Sequence, residues 1–274
     1  MNPGDLLKMN YPPTILIYGM YGTGKTALAS TLSGAYIFDF NRGLRTAATL
    51  KDKFFDVRQQ VTFDIYRDDN PLKPTRYAMA KRKLVLIVNS CAQGKIPFEV
   101  TTDDGKAHLC DAVVVDDLTS LVMAAQLELQ KAKGDPMAIM EIRDWMLLEN
   151  EVTRFLLMLQ SLGVVVIVLA HTNTDEERKE RNPLETNITA IFPFSATKKH
   201  GKTKLPIHFD EIWYADTRQA GGGKVNYRVT GKPTNVIMAR TRSSFDMVVH
   251  NDIGMVGLLK MIGFDYPPQP KAKG

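Results

Sequence analysis

Residues Gly19-Met20-Tyr21-Gly22-Thr23-Gly24-Lys25-Thr26 follow the apolar run Thr14-Ile15-Leu16-Ile17-Tyr18 and precede the helix-forming run Ala27-Leu28-Ala29. A strand, a glycine-rich turn and a helix in that order make a phosphate-binding loop, the P-loop. The backbone N–H groups of such a turn converge on phosphate oxygens, and the new helix adds its unsatisfied N-terminal donors and dipole. Lys25 is placed to reach β- and γ-phosphates as a flexible point charge, and Thr26 to hold Mg²⁺ through its hydroxyl. The expected nucleotide contacts are therefore Gly19, Tyr21, Gly22, Thr23, Gly24, Lys25, Thr26 and Ala27, with ATP and Mg²⁺ as the ligands.

A chain of 274 residues that is 44% apolar has enough material for one large core. One domain is expected over residues 14–262, after a leader at 1–13 containing the pair Pro12-Pro13 and before a flexible tail at 263–274. The net charge of +5 is mild and compatible with a nucleic-acid partner without requiring one. The longest apolar run, Val164 to Ala170, is too short to cross a bilayer, and the start of the chain lacks the pattern of a secretory signal, so a soluble cytoplasmic protein is expected. Cys91 and Cys110 form no disulfide framework, and Asp103-Asp104-Gly105-Lys106 reads as a hairpin turn.

The apolar periodicity predicts buried strands at Ala35 to Phe40 and within Phe54 to Ile65, and a helix from Thr75 to Lys83. The run Leu84 to Val88 fits either a strand or the end of that helix. Ala112-Val113-Val114-Val115-Asp116-Asp117 and Val164 to Ala170 are continuous β-branched runs, which belong in a parallel sheet buried on both faces. Between them, Leu118 to Leu162 predicts two helices separated at Gly134-Asp135-Pro136, with Trp145, Leu148, Val152, Phe155, Leu156 and Leu159 on one face. Thr174 to Lys204 shows no periodicity and reads as a long partner-binding loop. Ile207 to Arg218, Val225 to Thr230 and Asn235 to Arg240 read as three strands of an antiparallel meander.

Asp116 ends the right kind of strand to share Mg²⁺ with Thr26. Asp117 either orients water or a neighbouring ligand or caps the following helix. Asp39 and Asn41 would open onto the same carboxyl edge of the sheet, Asp39 as a proton acceptor and Asn41 only as a water-orienting group. His171 ends another central strand and either senses the γ-phosphate or is a buried histidine bonded to backbone. Lys198, Lys199, Lys202 and Lys204 concentrate charge that suits a nucleic-acid backbone, although such a run is also an ordinary solvated face. Arg240 and Arg242 are candidates for charge-stabilising fingers that act on a neighbouring subunit, or for a plain salt-bridged strand end.

With these pieces in order, the chain resembles the RecA-type recombination ATPases, and most of all the short phage nucleotide-binding proteins that assist single-strand annealing or strand exchange. The likeness spans about residues 14–245, including Phe38-Asp39-Phe40-Asn41-Arg42-Gly43-Leu44, the helix with Trp145, and the segments with Asp210 and Arg240. The resemblance implies a RecA-like α/β core, with a mostly parallel sheet flanked by helices and an antiparallel C-terminal extension. It also implies single-stranded DNA near the stretch after His171, a single-stranded DNA-binding protein as a candidate partner, and a homo-oligomer whose neighbouring subunits complete the nucleotide site. One departure stands out: the family's catalytic glutamate position, two beyond Asp39, holds Asn41. Slow turnover, or a regulatory subunit without turnover, is the reading this departure favours, unless Asp39 or Asp117 supplies the carboxylate. A motor or loader ATPase is the other alternative.

Overall fold

Along the chain, β1 (Thr14–Gly19) leads into α1 (Lys25–Ala29), β2 (Ala35–Asp39) and β3 (Thr62–Ile65) in the computed structural model. After α2 (Arg76–Ala92), a hairpin of β4 (Phe98–Thr101) and β5 (Ala107–Cys110) precedes β6 (Ala112–Asp116). Two helices, α3 (Leu118–Ala132) and α4 (Ile142–Gln160), come before β7 (Val165–Glu177) and β8 (Ile188–Pro193). The chain continues through β9 (Glu211–Gln219), β10 (Val225–Thr230), β11 (Val248–Val249) and α5 (Gly254–Met261). The structure describes residues 11–44, 61–135, 137–177, 188–196, 199–241, 245–246, 248–249 and 253–266.

The central sheet runs β11-β10-β9-β1-β7-β6-β2-β3, and β8 pairs with the outer part of β7. β9, β1, β7, β6, β2 and β3 are mutually parallel, whereas β10 and β11 are antiparallel additions at one edge. This is the expected architecture, an α/β P-loop NTPase core with a mostly parallel sheet and an antiparallel C-terminal extension. Both faces of the sheet are covered, which explains the continuous apolar strands. Leu16 and Tyr18 point into a core with α2, α3 and α4, while Ile15 and Ile17 point into a second core with α1 and α5.

Register brings the functional edge together. Gly19 lies opposite His171 on one side and Ala215 on the other, and Asp39 lies opposite Asp116. Parallel strands end their carboxyl termini on one edge, so turns and acids that are far apart in sequence meet there.

Several local expectations are revised. Of the two readings kept for Leu84 to Val88, the helix is the one found, extended to Ala92: Tyr77, Ala80, Leu84, Ile87 and Cys91 are buried at spacings of three and four, so the helical period continues through the apolar run. The stretch from Thr174 is not irregular throughout, because β7 extends to Glu177 and β8 pairs back along it, with Thr172 opposite Pro193 and Glu177 opposite Ile188. Backbone pairing holds this hairpin, and it leaves no apolar alternation for a sequence reading to find. Ile207 to Arg218 starts instead as a short helical turn at Leu205–His208, with Pro206 in its first positions, and becomes strand only at Glu211. Asn235 to Arg240 forms no strand of its own; it makes isolated bridges from Ile237 to Ile191 and from Arg240 to Ile212. Residues 54–60 lie outside the described residues, and the strand expected between Phe54 and Ile65 is seen only at Thr62–Ile65. The packed chain also passes the expected boundary at residue 262. Phe264 and Tyr266 are buried, and the Tyr266 hydroxyl donates to the Ser33 carbonyl at 2.9 Å, because both rings complete the α1–α5 core.

The turn at Asp103 to Lys106 joins β4 to β5 as expected, with Gly105 at φ 81°. Both cysteines are buried and free, and burial pushes the Cys110 thiol up to about 12 and raises that of Cys91. A thiol reagent at neutral pH is therefore expected to modify neither cysteine in the folded protein and both after denaturation. Thiol titration with and without guanidinium checks this, and rapid labelling of the native protein would contradict the packing of β5 and α2.

Candidate nucleotide site

The loop between β1 and α1 turns on two left-handed glycines, Gly22 and Gly24, each at φ 76°, a conformation that a side chain disfavours. Gly24 is also the N-cap of α1, so the helix's first N–H groups point into the loop without a side-chain competitor. Thr23 donates its hydroxyl to the Met20 carbonyl at 2.9 Å and braces the loop from within. Lys25 is buried, and its ammonium donates to the carbonyls of Gly19 at 3.0 Å and Met20 at 2.8 Å and to Thr23 Oγ1 at 3.3 Å. Burial pulls its pKa down to about 8, against the opposing pull of Asp117 and Asp116. The lysine is thus held by the loop's own carbonyls at the place where phosphate oxygens would compete for it.

Thr26, at the start of α1, donates its hydroxyl to Asp116 Oδ2 at 2.8 Å across 90 residues of sequence. Burial pushes Asp116 up to about 7; the Thr26 hydrogen bond opposes this shift, and the neighbouring charges of Asp117 and Asp39 add to it. Gly43 closes the same corner. A Cβ there would meet Asn41 Oδ1 at 2.6 Å, Asp116 Oδ2 at 2.9 Å and Thr26 Oγ1 at 3.2 Å. Arg42, at φ 63°, turns the backbone so that Gly43 presents this bare face. Thr26 and Asp116 form a hard-oxygen pair at the mouth of a phosphate loop, a donor set that fits Mg²⁺.

Asp117 is the hub behind this pair. Its side chain accepts from the Ser120 N–H at 2.6 Å as the N-cap of α3, from Asn41 Nδ2 at 2.7 Å and from His171 Nε2 at 2.9 Å. Burial works against its charge, but the hydrogen bonds from His171, Ser120 and Asn41 outweigh it and hold Asp117 below the usual carboxylate range. Asp117 caps α3, and the same side chain also holds two polar side chains of the site, Asn41 and His171.

Asn41 also reaches Asp116 Oδ1 at 3.4 Å, and its own side-chain carbonyl accepts from the Gly43 N–H at 2.5 Å. Asp39 accepts through Oδ1 from the N–H groups of Asn41 and Gly43, both at 3.2 Å. Its other oxygen, Oδ2, is buried with no hydrogen-bond partner among the described residues, and burial raises its pKa. His171 is fixed by Asp117 on one nitrogen, while Nδ1 is buried with no partner among the described residues. The ring stacks on Tyr21 of the loop, with centroids 3.8 Å apart, although Tyr21 itself is 78% exposed.

Outside this cluster the picture is mixed. Lys199 is exposed, Lys202 lies 5.2 Å from the Phe192 ring centroid, and Lys204 is paired with Glu149 at 2.6 Å. Lys198 and Arg242 lie outside the described residues. Arg240 is exposed and bridges Ile212, three residues before Ala215 on β9, so it sits roughly 10 Å back from its own loop.

Sequence reasoning missed Gly43 as a wall of the metal corner, Thr119, whose hydroxyl accepts from the His171 N–H at 3.2 Å, and Tyr227, whose ring lies against Gly24. The glycine two residues after Asn41 was a visible signal for the first. Nothing local marks the other two.

A phosphate loop whose lysine and threonine converge with a strand-borne aspartate on the carboxyl edge of a parallel sheet defines a P-loop ATPase domain. The chain belongs to the AAA domain family, whose sequence profile matches residues 11–243. No curated protein matches it. Among solved structures, the crystal structure of the RadB recombinase is similar at 16% identity, covering 82% of this chain and 84% of that one with a TM-score of 0.38.

Proposed function

We propose that this protein binds ATP and Mg²⁺, hydrolyses the ATP slowly, and uses nucleotide state to control single-stranded DNA in phage recombination or replication. The observation that carries the reading is the Thr26–Asp116 hydrogen bond at the mouth of the P-loop, with Asp39 and His171 on the same edge. Lys25, the loop N–H groups and the start of α1 hold the phosphates, and Thr26 and Asp116 hold the metal. When bound, Mg²⁺ neutralises charge on the phosphate oxygens. Asp39, with one oxygen anchored and one without a partner among the described residues, is the proton acceptor for the attacking water; Asn41 orients but does not accept a proton at neutral pH. Asp117 positions Asn41 and His171.

His171 begins the outer half of β7, which leads into the β7–β8 hairpin, so it links the nucleotide edge to the segment proposed to meet DNA. Lys199 and Lys202, with Lys198, are the proposed backbone contacts, while Lys204 is engaged by Glu149. A homo-oligomer, either filament or ring, would bring Arg240 and Arg242 to a neighbour's site, and a single-stranded DNA-binding protein is a proposed partner in the host cytoplasm. Among the described residues, no helix is long and apolar enough to cross a membrane.

The test is phosphate release with and without single-stranded DNA at fixed salt, since phosphate contacts are salt-dependent. Turnover that rises severalfold with DNA and vanishes in Lys25→Ala is the expected result. ATP binding with no release of phosphate in any condition would overturn the enzyme reading in favour of a regulatory subunit, the reading that Asn41 favours. DNA-stimulated turnover coupled to directional movement would favour a motor.

A further inference from the structure

We propose that Tyr18 is a positioning residue whose hydroxyl fastens β8 to the phosphate loop, so that the β7–β8 hairpin responds to nucleotide. This rests on the reading above, in which nucleotide state controls DNA, and it names a residue through which the control runs. Tyr18 directly precedes Gly19, where the loop opens, and it is fully buried on the face of the sheet covered by α2, α3 and α4. Its hydroxyl donates to the Met238 carbonyl at 2.5 Å and also reaches the Ile191 carbonyl at 3.2 Å. Ile191 belongs to β8, and its carbonyl accepts from the Met238 N–H at 3.2 Å as well. One buried hydroxyl thus ties the strand of the phosphate loop to β8 and to the segment that leads to Arg240.

The hairpin leaves from the nucleotide edge on both of its strands. Gly19 lies opposite His171, Thr172 lies opposite Pro193, and the Phe194 N–H donates to the His171 carbonyl at 2.8 Å. His171 anchors the β7 side through Asp117, and Tyr18 anchors the β8 side. Lys25 supplies the two states that a switch needs. Its ammonium donates to the Gly19 and Met20 carbonyls, and a phosphate that draws it away frees the Gly19 carbonyl, one residue from Tyr18. The end of β1 can then shift, and a close-packed interior passes a small shift on to the next element instead of absorbing it. A phenylalanine would fill the same space in the core; the hydroxyl and its two carbonyls are what tyrosine adds.

The experiment measures the affinity of a single-stranded oligonucleotide by fluorescence anisotropy, with and without the non-hydrolysable analogue AMP-PNP, at fixed salt. In wild type the nucleotide is expected to change DNA affinity about fivefold or more, the size of an ordinary coupling between sites. Tyr18→Phe is expected to cut that ratio about threefold or more while AMP-PNP affinity stays within about twofold. The control is Tyr36→Phe, which removes another buried hydroxyl, bonded to Asp64 Oδ2 at 2.6 Å beside β3 at the far edge of the sheet. It should keep the wild-type ratio. A smaller fall in Tyr18→Phe overturns the proposal, as does an equal fall in Tyr36→Phe, which would reflect lost stability alone. A matching loss of AMP-PNP affinity would make Tyr18 a support of the loop and also overturn it. These results leave the wider reading standing, whereas wild type that binds no DNA, or binds it without regard to nucleotide, sinks both. Should Tyr18→Phe fail to fold, hydrogen exchange of wild type decides. AMP-PNP that alters exchange at Ile191 and Met238 supports the link, and unchanged exchange there overturns it.

Discussion

Gly19→Ala is expected to destabilise the fold by about 3 kcal/mol or more, the upper range of overpacking penalties, and to lower the melting temperature by roughly 6–12 °C. The new Cβ would lie 2.2 Å from the Ala215 carbonyl oxygen and 3.1 Å from its carbon. Those atoms belong to the backbone of β9, which is hydrogen-bonded to β1 at this register, so no side-chain rotation relieves the clash. The strands must separate at the edge where the phosphate loop begins, and nucleotide binding falls with stability. Gly221→Ala is the control: nothing lies within 4 Å of its Cβ position and its φ is not in the left-handed region, so its stability should stay within about 0.5 kcal/mol of wild type. Chemical and thermal unfolding of the two variants decide the matter. A Gly19→Ala protein that melts with wild type would mean that β1 and β9 are not in the register described.

That glycine shows where reading a sequence stops. The motif identifies the loop, and the mechanism behind it, backbone freedom in a tight turn, holds for Gly22 and Gly24, which are left-handed. Gly19 is there for a different reason, the close approach of a strand nearly 200 residues away in sequence. The core strands at Thr14–Gly19, Ala35–Asp39, Ala112–Asp116 and Val165–Ala170 were legible because burial on both faces leaves an unbroken apolar run. The outer half of β7 and its partner β8 were not, since a ladder made by backbone pairing puts no constraint on side-chain polarity. Asp116 and Asp117 were both found as adjacent acids, yet their different duties come from partners outside the local pattern. Thr26 takes one; Ser120, His171 and the shorter of the two Asn41 contacts take the other. In a parallel sheet the site is assembled by strand order, and strand order is a long-range property that no local window contains.

Asn41, an amide that takes no proton at neutral pH, raises the question of which group would take the proton from water in the proposed hydrolysis. Asp117 is excluded by its commitments, because three donors already occupy its two oxygens and hold it below the usual carboxylate range. Asp116 is engaged by Thr26 and is the proposed ligand of the metal. Among the described residues, Asp39 alone of these acids keeps an oxygen, Oδ2, that is buried and without a hydrogen-bond partner, and burial raises its basicity. Asp39→Asn removes the proposed base but keeps the Oδ1 acceptor for the N–H groups of Asn41 and Gly43, so the turn at Gly43 survives. The expected result is a fall in kcat of about 100-fold or more, the typical contribution of a positioned base, with ATP affinity changed less than about threefold. Single-turnover phosphate release and equilibrium nucleotide binding, measured on the same preparation, separate the two quantities. A loss of affinity that matches the loss of rate would assign Asp39 to the turn and not to the chemistry. An unchanged rate would leave water activation to the phosphate itself, and the slow turnover expected from Asn41 would then have its explanation in the absence of any protein base.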